Sequence, residues 1–144
     1  MMAFNGKDTS SIHILHVDDE PEALRFSKYF LEKCDSDLNI ETLTSPIEAL
    51  ERIKDGEYDC VISDVIMPNM DGLEFVRQIR RASDIPIVLY TCCSPDEMAS
   101  DAKLAGADKY IQKMIDPTHY RKLADCIKNA VTRTTLEDSK RTRS

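Results

Sequence analysis

The chain is short of positive charge. Nineteen Lys and Arg stand against twenty-six Asp and Glu, a formal net charge of −7. Non-specific nucleic-acid binding needs a basic footprint, so direct contact with nucleic acid is not expected. No apolar run approaches the roughly 18 to 20 residues that span a bilayer, so no membrane span is expected. The opening MMAFNGKDTSS lacks the basic and apolar regions of a signal peptide, and a cytoplasmic location is the expectation that follows. Five cysteines are present, an odd number, and no C-x-x-C spacing occurs. A disulfide scaffold and a zinc site are therefore not expected. Reduced, packed thiols are.

What is present alternates. A length of 144 residues suits one domain. Residues 1–10 read as a flexible lead, 11–131 as the domain, and 132–144 as a polar, basic tail, frayed helix end or linker. Short Ile- and Val-rich runs appear at 12–17, 39–43, 60–63, 86–91 and 109–112, as buried parallel strands require. Between them, 21–34, 46–54, 72–81, 95–105 and 117–131 carry apolar residues at helical spacing. Pro21, Pro46, Pro95 and Pro117 fall at first helical positions, where a missing N–H costs nothing. Ser45–Glu48 and Ser94–Glu97 match the capping-box spacing, and Gly106 suits a C-terminal cap. Five β-α units in succession predict an α/β fold, a doubly wound parallel sheet with helices on both faces.

In such sheets function gathers beyond the carboxyl ends of the strands. The first run ends in Asp18-Asp19-Glu20, the third in Asp64, the fourth in Thr91, and Lys113 follows the fifth. Singly, each has an ordinary reading: a helix cap for Glu20, a structural hydroxyl, a solvated lysine. Together they put carboxylates, a hydroxyl and an ammonium at one sheet edge. Clustered carboxylates repel unless a cation joins them. Oxygen donors suit Mg²⁺, and Mg²⁺ with a lysine suits a phosphoryl group. A carboxylate can itself be the nucleophile and form an aspartyl phosphate. Asp64, alone at the end of the central strand, is the candidate.

The pieces H-V-D-D-E (16–20), S-D-V-I-M-P-N-M-D-G (63–72), Y-T (90–91), G-A-D-K-Y (106–110) and Lys113 resemble the receiver domain of the two-component response regulators. The similarity runs from about Ile12 to about Val131. It implies a flavodoxin-like strand order, 2-1-3-4-5. It implies that Asp64 accepts a phosphoryl group from a sensor histidine kinase. Asp19, Asp64 and the backbone carbonyl of Ile66 would bind Mg²⁺ directly, and Asp18 largely through water. Lys113 would pair with the phosphoryl oxygens. Thr91 and Tyr110 would move with phosphorylation and alter the face of the fourth helix, fifth strand and fifth helix. Through that face a homodimer, a downstream effector protein or a fused output domain would be engaged.

The chain also departs from the family. Met114 stands where Pro usually follows the lysine. A cis bond before a non-proline residue costs about 3 kcal/mol, so a trans bond is expected here. Ile66 and Cys93 lie two residues beyond Asp64 and Thr91, and neither orients water strongly. A long-lived aspartyl phosphate is expected. Cys92 and Cys93 read as packed rather than redox-active, and His13, His16 and His119 as packed or solvated. A Mg²⁺-dependent phosphatase of the haloacid-dehalogenase type is the alternative, but it would place D-x-D after the first strand. A flavodoxin-like cofactor binder would need a Gly-rich loop where V-D-D-E-P stands.

Overall fold

The computed structural model describes residues 11–143, and their side chains as far as Thr132. The expected lead, 1–10, lies outside the described residues. Five strands alternate with five helices: β1 (Ile12–Val17), α1 (Pro21–Cys34), β2 (Leu38–Leu43), α2 (Pro46–Lys54), β3 (Cys60–Ser63), α3 (Gly72–Arg80), β4 (Ile87–Thr91), α4 (Pro95–Ala105), β5 (Lys109–Gln112) and α5 (His119–Arg143). All strand pairings are parallel, in the order β2-β1-β3-β4-β5. The flavodoxin-like doubly wound fold expected from the sequence is the observed one.

The sheet buries two unlike layers. Leu15, Val17, Val61, Phe75, Val76, Ile79 and Leu89 form a mainly aliphatic layer against α2, α3 and α4. Ile14, Ile62, Tyr90, Tyr120, Leu123 and Ile127 lie on the other side against α1 and α5. That second side is rich in rings. Phe30 stacks on Tyr120 at 5.3 Å, and His119 lies 4.2 Å from Tyr120. β3 and β4 are buried at every position, as central parallel strands should be.

Local chemistry sets the helix ends. Ser45 accepts from the N–H of Glu48, and Asp71 accepts from those of Leu73 and Glu74. Ser94 N–H donates to the Glu97 carboxylate. Gly106 closes α4 with φ of +119°, a conformation open to glycine. Several expected boundaries move: β2 begins one residue early, at Leu38, and α3 ends one residue short, at Arg80. Pro86 has no N–H for the ladder, so β4 begins at Ile87. α5 begins at His119 rather than Pro117. Its approach is a tight turn of three successive i to i+3 bonds, from His119, Tyr120 and Arg121 back to Asp116, Pro117 and Thr118. The backbone of α5 continues to Arg143, through most of the stretch read as a tail.

Among the described residues no peptide bond is cis, so Lys113–Met114 is trans, as expected. No described helix is long and apolar enough to cross a membrane.

Candidate functional site

The carboxyl ends of β1, β3, β4 and β5 meet at one edge of the sheet. Asp18 follows β1 directly and is 1% exposed. Its Oδ1 accepts from the Glu20 N–H at 3.0 Å, and its Oδ2 takes Lys113 Nζ at 2.9 Å. Asp64 follows β3. Its Oδ1 accepts from the N–H groups of Val65 and Ile66, at 2.6 and 3.2 Å, and its Oδ2 takes Lys113 Nζ at 3.1 Å. One ammonium therefore spans both carboxylates. Thr91, at the end of β4, is buried beside them.

The charges hold one another. Burial alone would raise the Asp64 pKa. The Thr91 hydroxyl, the Lys113 charge and hydrogen bond, and the Ile66 N–H outweigh it and set the carboxyl below its ordinary range. Burial would lower the Lys113 pKa. The bond to Asp18 and the attraction of Asp64 and Asp18 raise it instead. Asp64 and Lys113 are thus fully ionised at neutral pH.

The floor of the site is a close approach. Gly72 N–H donates to Val65 O at 2.6 Å, and a Cβ on Gly72 would stand 2.3 Å from the Asp64 carbonyl oxygen. Only glycine lets α3 start this near the loop after Asp64. Ile66 in that loop is 65% exposed.

The structure brings Asp18, Asp64, Thr91 and Lys113 together. Asp19 is half-buried at the same edge, and its carboxylate makes no hydrogen bond or ion pair with the described residues. Three carboxylates do not form one cluster: among the described residues no three His, Cys, Asp or Glu side chains are grouped to hold a metal. Lys113 stands between two of them instead. Tyr110 is half-buried, with its hydroxyl donating to Cys93 O at 2.8 Å, and burial pushes its phenol up to about 12. Glu20 occupies the N-cap of α1 without a side-chain cap bond.

Two features of this edge had no signal in the sequence. His16 is buried on β1, and both its ring nitrogens lack hydrogen-bond partners among the described residues. Burial lowers its pKa to about 4, the pull of Asp18 opposing. Tyr90 meets His119 and carries Lys113 over its ring, contacts between residues far apart in the chain.

The family model for the response regulator receiver domain matches residues 14–125. A cyclic di-GMP phosphodiesterase response regulator, RpfG of Xanthomonas campestris pv. campestris (strain 8004), is 31% identical over 122 residues, 83% of this chain and 32% of that protein. The transcriptional regulatory protein SrrA of Staphylococcus aureus (strain NCTC 8325 / PS 47) is 29% identical over 129 residues, 90% of this chain and 53% of that one. The chain thus spans between a third and about half of these curated relatives. The crystal structure of a response regulator receiver domain protein from Clostridium thermocellum superposes with a TM-score of 0.74 at 29% identity, covering 87% of this chain and 98% of that one. The chemotaxis protein CheY4 of Vibrio cholerae gives 0.71 at 28%, covering 81% and 98%. The matched span contains every residue of the ion-paired edge, and the fold is shared with these solved structures: the chain belongs to the response regulator receiver domain family.

Proposed function

We propose that this chain is the phosphoacceptor switch of a two-component phosphorelay, with Asp64 taking a phosphoryl group from a phosphohistidine of a sensor kinase. The observation that carries the reading is the shared ammonium. The Asp64 and Asp18 carboxyl groups both take Lys113 Nζ, at 3.1 and 2.9 Å, at the carboxyl edge of a parallel sheet.

Asp64 is ionised and partly exposed, so its Oδ atoms can attack phosphorus. Lys113 is already in place to neutralise charge on the transferred group. Thr91 offers a hydroxyl from the neighbouring strand end. By donor type the edge suits Mg²⁺, and binding the ion requires Asp64 and Asp18 to turn from Lys113, because the three carboxylates are not grouped among the described residues. Among the described residues Asp19 is a carboxylate without a partner at the edge, Asp64 and Asp18 are ionic acceptors, and the Ile66 carbonyl lies on an exposed loop. All are oxygens, as a hard cation requires. Asp19, Asp64 and Ile66 would hold the ion directly and Asp18 through water. When bound, Mg²⁺ would screen the phosphoryl oxygens and align the donor.

Output follows from two contacts. Thr91 and Tyr110 both engage the backbone of Cys93, through its N–H at 3.5 Å and its carbonyl at 2.8 Å. A Thr91 that turns toward a phosphorylated Asp64 leaves the Cys93 N–H. The loop and Tyr110 then shift together, and with them the face of α4, β5 and α5. A homodimer, a separate effector or a fused output domain would read that face. The role is that of a signalling switch in the cytoplasm.

The test is intact-mass analysis after incubation with Mg²⁺ and acetyl phosphate. The wild type gains one phosphoryl group and Asp64→Asn gains none. Equal labelling of the two removes Asp64 as acceptor. With Ile66 and Cys93 near the acceptor, the label decays over minutes or longer. A half-life of seconds contradicts that part.

A further inference from the structure

Lys113 needs a support that its own loop does not provide. A lysine is a point charge on a flexible stem. It follows β5, an edge strand, and precedes Met114 and Ile115, which are 58% and 101% exposed. Its N–H donates to Thr91 O at 2.7 Å, which fixes its backbone and not its ammonium.

The ammonium is steadied from β4. Lys113 Nζ lies 5.4 Å from the centroid of the Tyr90 ring, within reach of a cation–π contact. Tyr90 is 2% exposed and faces the α1 and α5 side, opposite to Thr91 on the same strand. Its hydroxyl meets His119 Nε2 at 2.5 Å, and the two rings stack at 5.6 Å. His119 Nδ1 lies 2.7 Å from Asp116 O. A carbonyl only accepts, so Nδ1 carries the proton and donates to it. Nε2 is then the acceptor for the Tyr90 O–H. Asp116 in turn accepts from the Thr118 N–H at 3.0 Å. The first turn of α5 is thereby pinned to the ring beneath the lysine.

We propose that Tyr90 and His119 are positioning residues for Lys113: the tyrosine ring, tethered by the histidine, holds the ammonium against Asp18 and Asp64. This rests on the reading of Asp64 as phosphoacceptor with Lys113 as its charge partner. It assigns to Tyr90 and His119 the stiffening of a loop that has Met114 after the lysine.

The test is a coupling measurement. His119→Ala, His119→Gln, Tyr90→Phe and Tyr90→Leu are each made with Lys113 and again with Lys113→Gln. The rate of Asp64 labelling by acetyl phosphate with Mg²⁺ is followed by intact mass. His119→Ala and Tyr90→Leu lower the rate roughly three- to tenfold with Lys113 present, the factor a partly desolvated cation–π contact supports. They change nothing further beside Lys113→Gln. Tyr90→Phe, which keeps the ring and loses the tether, falls between. His119→Gln recovers most of the rate. Equal losses in both lysine backgrounds, or no loss in either, overturn the proposal. His119 is only half-buried, so its variants carry the test if Tyr90→Leu fails to fold.

A second readout is independent of phosphorylation. Competitive acetylation by acetic anhydride measures the access of the Lys113 amine relative to the other lysines. It rises severalfold in His119→Ala. If that rise occurs while the wild type takes no phosphoryl group, the phosphoacceptor reading fails and the positioning role stands. If Asp64 labels normally and neither measure moves, the positioning role fails alone.

Discussion

Arg80 and Lys113 stand at opposite ends of the same sheet and are used in opposite ways. Arg80, the last residue of α3, sends its fork to fixed acceptors before β4 and β5. It donates to the carbonyls of Gly106, Ser83 and Ile85 and to Asp108 Oδ2, at 2.9, 3.2, 2.7 and 2.9 Å. Asp108 also receives the Ile87 N–H at 2.8 Å. Three of the four Arg80 partners are backbone, which cannot leave without unfolding a turn. Lys113 donates from its ammonium to two side chains, both carboxylates, and each can turn toward another cation or ligand. A planar, multi-donor guanidinium suits a staple, and a compact ammonium suits a site whose partners change. The amino end of the sheet is closed, and the carboxyl end is held but exchangeable.

That contrast can be broken from either side. The largest effect comes from closing the exchangeable end by force. Gly72→Val puts a branched side chain into the backbone of Asp64 and Val65, and it costs about 4 kcal/mol or prevents folding. Urea denaturation or soluble yield measures it, and a change under 1 kcal/mol means that α3 can retreat at no cost. Next comes Arg80→Met, which keeps the bulk of the stem, takes the donor from three carbonyls and leaves Asp108 with the Ile87 N–H. It lowers stability by about 3 kcal/mol. Asp64 labelling by acetyl phosphate stays within twofold. A fall in labelling with unchanged stability would mean the two ends are coupled.

The smallest effect is a pH slope from His16. Its pKa is about 4 in the fold against an ordinary 6.5, because burial disfavours the charged ring. Below 6.5 the unfolded chain takes up a proton that the folded chain refuses. Stability therefore falls as pH drops from 6.5 towards 4, by about 2 kcal/mol at pH 5. Denaturation in chelator over that range shows it, and His16→Val flattens the slope. Asp64 adds its own loss only in stronger acid. Its depressed pKa stabilises the fold above the ordinary carboxylate range, and that contribution disappears as pH falls through the folded value.

The expectations from sequence divide along physical lines. The strand order follows from five β-α units and the receiver resemblance, and Pro21, Pro46 and Pro95 each open a helix. These signals are local, so one sequence carries them. Pro117 failed for a local reason too: Asp116 caps a tight turn first, and α5 starts two residues later. The gathering of Asp18, Asp64, Thr91 and Lys113 was legible because a parallel sheet lines up its carboxyl ends. That Lys113 would claim two carboxylates and leave Asp19 aside was not, since it depends on side-chain reach. Arg80 drew no reading from the sequence, because its partners Gly106 and Asp108 lie beyond another strand and helix. Tyr90 and His119 each have an ordinary reading alone, as a strand aromatic and a helix-start histidine. Contacts across such spans leave no periodicity behind.

The unequal layers of the sheet decide what light can report. The chain contains no tryptophan and five tyrosines. Tyr90 and Tyr120 lie within the ring-rich layer, and Tyr29 meets Phe30 at its rim. Only Tyr58 and Tyr110 pack against the aliphatic layer. Near-ultraviolet dichroism of this protein is therefore chiefly a spectrum of the α1 and α5 side. A change confined to α4 and the loop before it would reach the detector through Tyr110 almost alone.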